Sequence, residues 1–113
     1  MTKIIEPLAE RILREAEDDW IPLDMLLWHS RESAAQEGED FKQVAIDVLR
    51  FLLEGELMEI GDLSASGFEA WIGPLDEIVQ RVAADAESVN WEPLGGLSWL
   101  NITHKGAQHI VGQ

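Results

Sequence analysis

From Asp40 to Gly55 the chain reads DFKQVAIDVLRFLLEG, and Phe41, Val44, Ala45, Val48, Leu49 and Leu52 recur along it at helical spacing. That stripe predicts a helix of about four turns with one face buried, so the rest of the chain must pack around it. Asp40 stands where an N-cap belongs, with Gln43 three residues on to close a capping box. Gly55 is placed for the left-handed turn just past the end. With 113 residues there is room for one core, read as a single domain over residues 1–113.

Taken in order, Pro7 suits the first turn of a helix striped by Ile5, Leu8, Ala9, Ile12, Leu13 and Ala16. The acids Glu15, Glu17, Asp18 and Asp19 oppose its macrodipole, so it ends near Asp18. Trp20-Ile21 is an extended pair before Pro22. Trp20 is expected in the sheet and core. Leu23, Leu26 and Leu27 mark the next helix, fading near Gln36. Beyond Gly55 the period drops to two, and Leu57–Leu63 reads as a strand. Ser64 to Gly67 is a turn. Phe68 to Ile72 is either a second short strand or irregular chain carrying two aromatics. Pro74 opens a helix striped by Leu75, Ile78, Val79, Val82, Ala83, Ala86 and Val89. Asn90 to Gly96 is loop. Trp99–Ile102 is a strand, and Thr103 caps a last helix to about Val111, weakened by Gly106.

This order, with a late strand entering Leu100-Asn101-Ile102-Thr103-His104-Lys105-Gly106, resembles a winged helix-turn-helix domain. The resemblance implies an α+β fold of four to five helices with a small two- to three-stranded antiparallel sheet. Asp40–Glu54 would be its recognition helix. A helix would be inserted in the wing region, roughly residues 64–97. About 30 residues separate the two candidate wing strands, Leu57–Leu63 and Trp99–Thr103, whereas a wing is a compact hairpin.

The family's DNA contacts do not carry over. The chain holds 22 acids against 8 bases, a formal charge of −14. A DNA-binding module neutralises on the order of 6–10 phosphates with basic side chains. The candidate recognition helix offers Lys42 and Arg50 against Asp40, Asp47 and Glu54, and Leu57 to Ile72 has no base at all. Such acidity repels polyanions and speeds association with basic surfaces.

Catalytic and metal constellations are missing. There is no cysteine, hence no thiolate chemistry. Asp62, Ser64, Ser66 and Gly67 copy the opening of a calcium loop, but Gly73 stands where the bidentate glutamate belongs. His104 and His109 are badly spaced to ligate from one helical face, and His29 reads as a helix-surface residue. No serine sits in a nucleophile elbow, and no glycine-rich loop cradles phosphate. No enzyme activity, cofactor or metal is expected.

Five tryptophans without a tyrosine are rich for this length. Trp28 lies beside its helix stripe, and Trp71 and Trp91 flank the inserted segment. Tryptophan is a favoured interface anchor. The expectation is a non-enzymatic, acidic protein-binding module: a toxin-neutralising (immunity) protein or an adaptor in a bacterial assembly. Glu15, Glu17, Asp18, Asp19 and Asp24 would steer a basic partner, and Trp28 or Trp71 would supply contact area. The alternative is a DNA-binding regulator that dimerises and gathers Lys42, Arg50 and Lys105 on one face. The N-terminus meets acids too early for a signal peptide, and no apolar run is long enough to span a bilayer. A cytoplasmic protein, with a homodimer open to it, is the expectation.

Overall fold

The computed structural model describes residues 4–111. In chain order it builds α1 (Ile5–Glu15), β1 (Ile21–Pro22), α2 (Leu23–Glu37), α3 (Phe41–Glu54), β2 (Met58–Ser64), β3 (Gly67–Ala70), α4 (Leu75–Ser88), β4 (Trp99–Ile102) and α5 (His104–Val111). The architecture is α+β, and its arrangement is consistent with a winged-helix-like fold. The antiparallel sheet has the order β1-β4-β2-β3. It holds four strands, more than the two or three expected.

The extra strand lies in the stretch that periodicity leaves open. Gly67–Ala70 pairs with β2 through Ser64↔Gly67 and Asp62↔Glu69, making a hairpin closed by Ala65-Ser66. The compact hairpin of the sheet, at the place a wing would occupy, is therefore β2–β3. The inserted helix α4 follows it, and β4 then returns between β1 and β2, pairing Pro22↔Trp99 and Met58↔Ile102. The serines of the calcium-like stretch serve this turn: the hydroxyls of Ser64 and Ser66 lie 3.0 and 3.2 Å from Glu69 Oε2.

The helical stripes meet in one core. Ile5, Leu8, Ile12 and Leu13 from α1 join Leu23 and Leu26 from α2 and Val48, Leu49 and Leu52 from α3. Met58, Ile60 and Leu100 close it from the sheet. Burying each such side chain is worth roughly 1.5–3 kcal/mol, which is why the spacing of these residues dictates the packing.

Several local expectations are corrected. Helix α1 stops at Glu15, before the acidic run is complete. Asp40 does cap α3, accepting from the Lys42 N–H at 3.2 Å, but the Gln43 amide bonds Asp47 instead of closing the box. The left-handed residue after α3 is Glu56 (φ 59°), whereas Gly55 is right-handed (φ −77°). Leu57 N–H reaches the Leu52 carbonyl at 2.9 Å and Glu56 N–H reaches that of Leu53 at 3.0 Å. This Schellman closure puts buried Leu57 beside buried Leu52, and that burial outweighs the glycine's preference for the turn position.

Gly106 does not merely weaken α5. A Cβ there would collide with the Leu57 carbonyl, so the glycine is what lets α5 dock on the start of β2. Thr103 caps α5 as expected, accepting from the Gly106 N–H at 2.9 Å. Trp20 is not in the core: it is 40% exposed, stacked on Phe68 of the hairpin at 6.3 Å. His29, expected at the surface, is buried. No helix among the described residues is long and apolar enough to cross a membrane.

Candidate functional site

Helix α4 packs across α3, and its acids meet both bases of that helix. Arg50 Nη1 lies 2.6 Å from Asp76 Oδ1, and Lys42 Nζ lies 3.9 Å from Glu87 Oε2. Beyond α4, buried Trp91 meets Phe41 edge-on at 6.0 Å and donates its indole N–H to Glu87 at 2.6 Å. Arg31 spans the same seam, stacked 4.2 Å over Phe41 and donating to the Trp91 carbonyl at 2.6 Å. The other bases among the described residues are engaged too. Arg14 pairs with Glu10, Arg81 with Asp85, Lys105 with Glu56, and Arg11 bonds the Ser33 hydroxyl. Among the described residues, no band of unpaired positive charge runs beside α3.

A different surface is left open where α2 meets the loop after α4. Asp24, Leu27, Trp28, Arg31, Trp91 and Leu94 are among the residues lining a groove of about 230 Å³, with Glu92 and Pro93 completing the loop side. Trp28 falls off the buried stripe of α2 and is 52% exposed, and Leu94 is 91% exposed. Leu94 also has φ 51°, a left-handed conformation that costs a non-glycine residue on the order of 1–3 kcal/mol. Trp28 meets His29 at 4.9 Å, and its indole N–H has no partner among the described residues. Asp24 is preset by the Gly95 N–H on its Oδ2 at 2.9 Å, while its Oδ1 is shielded from solvent with no hydrogen-bond partner. Large apolar side chains held in water beside carboxylates are the makings of an interface anchor.

The structure brings Asp24 and Trp28 together and separates the other expected residues from them. Glu15 ends α1 with Oε1 3.4 Å from the buried His29 Nε2. Glu17, Asp18 and Asp19 line a second groove with Trp20, Asn101 and Ile102. Trp71 is tied down on two sides: its indole N–H donates to Asp62 at 2.8 Å and the Arg81 guanidinium lies 3.5 Å over its ring. It borders a cleft of about 460 Å³ lined by Met58 and Ile60 among others, beside fully exposed Ile72. The polar rim of that cleft is already bonded within the chain, Glu59 to Asn101, Thr103 to the Glu56 carbonyl and Lys105 to the Glu56 side chain.

The sequence marks Trp91 only as flanking the inserted segment and gives Glu92, Pro93 and Leu94 no role beyond loop. The available signal was three large apolar or ring side chains in a segment with turn chemistry, which a solvated loop does not need. Among the described residues, no group of three or more histidine or carboxylate side chains is arranged to hold a metal ion. No known family model matches this chain, and no curated protein or solved structure matches it.

Proposed function

We propose that this protein is a non-enzymatic, acidic binding module for a basic protein partner, acting in the cytoplasm as a toxin-neutralising or adaptor protein. The observation that carries the reading is the exposed Trp28–Leu94 pair bordered by Asp24 and Glu92 on a chain of charge −14. The long-range field would draw in a basic surface, and the tryptophan and leucine would bury against it once it arrived. The covering of α3 by α4, with Arg50 and Lys42 facing carboxylates, weighs against the DNA-binding alternative.

The test pairs two measurements. Immobilised protein is expected to retain a basic protein from lysate of the source organism, and Trp28→Ala is expected to lose it. A duplex-DNA mobility shift that appears at low salt and fades steeply as salt rises would sink the reading in favour of gene regulation.

A further inference from the structure

We propose that the groove between α2 and the Trp91–Leu94 loop is a socket for an arginine side chain of the basic partner, its guanidinium stacked on Trp28 and bonded to Asp24 and Glu92. This rests on the protein-binding reading above and names the side chain the site would select. The molecule's own use of its tryptophans supplies the argument. At Trp71 a guanidinium, that of Arg81, lies 3.5 Å over the ring with the Asp85 carboxylate 3.9 Å from Arg81 Nε. At Trp91 the covering cation is Lys42, 5.7 Å away, with Glu87 beside both. Trp28 repeats the ring and the carboxylates, but among the described residues it has no cation over it.

The one base among the described residues of the groove, Arg31, has its guanidinium over Phe41 and bonded to the Trp91 carbonyl, so it is already committed to the seam with α3. Asp24 lines the groove with Oδ1 shielded from solvent, so the acceptor it can offer a guanidinium is Oδ2, which holds one internal donor, the Gly95 N–H at 2.9 Å. Arginine fits better than lysine here. Its planar, weakly hydrated guanidinium stacks on an indole and offers several N–H groups to flanking carboxylates at once, while an ammonium is a compact, strongly hydrated point charge. Charge complementarity also favours a basic partner over a second copy, which would bring its own −14 to the contact.

The probes are acetylated, amidated deca-arginine and deca-lysine, titrated at 0.15 M salt into ¹⁵N-labelled full-length protein. The five indole N–H resonances are followed, with that of Trp28 assigned by its disappearance in Trp28→Phe. Deca-arginine is expected to move the Trp28 resonance first and to bind about two- to fivefold more tightly than deca-lysine. Asp24→Asn combined with Glu92→Gln is expected to weaken both peptides and to shrink the preference for arginine. Equal affinities, or a Trp28 resonance that stays put while those of Trp20 or Trp99 move, would overturn the socket and leave the acidic binding module standing. If neither peptide binds, both fall.

Discussion

Trp28 and Trp71 lie in surface clefts of the same domain, yet the chain treats them in opposite ways. Trp71 is held by Asp62 at its indole N–H and covered by Arg81, and the rim of its cleft is bonded internally. Trp28 is half in water beside Leu94, an exposed leucine in a conformation the backbone disfavours. The first arrangement occupies the indole donor and covers the ring with a cation from within the molecule. The second leaves ring surface and an indole donor to solvent, with the exposed Glu92 carboxylate on the same groove. The α3–α4 seam extends the contrast, because Trp91, Phe41, Arg31 and the two paired bases of α3 are all engaged there. Around the exposed Trp28 ring, Asp24 and Glu92 carry the sign a basic partner would meet.

The sharpest way to break this comparison is to disturb the closed side. Trp91→Ala should cost about 3–5 kcal/mol, the range for truncating a buried aromatic, read from the midpoint of denaturant unfolding. A loss below about 1 kcal/mol would mean that the seam is decorative. Leu94→Gly should go the other way, raising stability by up to about 1 kcal/mol as left-handed strain is relieved. The same variant should bind the partner more weakly, and unchanged binding would remove Leu94 from the surface. Arg50→Ala should cost only about 0.2–1 kcal/mol, since its pair with Asp76 is solvent-facing. That loss should shrink further in high salt, and a salt-independent loss would assign Arg50 a packing role instead. Trp28→Ala should alter stability by no more than about 0.5 kcal/mol, as expected where nothing is packed on top, while abolishing retention of the partner. A large drop in its unfolding midpoint would show that Trp28 belongs to the structure after all.

What could be read from the chain follows the physics of each feature. The stripes of α1, α3 and α4 and the N-cap at Asp40 are local and periodic, so α3 and α4 are legible almost to the residue, while α1 ends at Glu15, short of the stop near Asp18 that the acidic run suggests. Sheet partnership is not local. Nothing in Leu57–Leu63 says whether its neighbour is Phe68 or Trp99, and the structure gives it both. The roles of Gly55 and Gly106 were misread for the same reason. One depends on burying Leu57 beside Leu52, the other on the Leu57 carbonyl lying against α5. At the candidate site, Asp24 and Trp28 were visible as charge and as a tryptophan off its stripe. The other wall, Trp91 to Leu94, joins them only through the fold, about 70 residues later in the chain, as the bond from Gly95 N–H to Asp24 illustrates. His29 was placed at the surface from its neighbour alone, although it faces the end of α1.

The position of β4 has a kinetic side. The strand that joins β1 to β2 is the latest of the four in the chain, and its pairings close loops reaching from Pro22 to Trp99. Until it docks, β1 has no hydrogen-bonded neighbour and Leu100 leaves the core open on one side. Closing such loops carries an entropic cost before any contact repays it. The helices can therefore form early, but the domain should acquire its stability in one late, cooperative step. A chain cut before Trp99 should remain a collapsed, protease-sensitive ensemble rather than a smaller native domain.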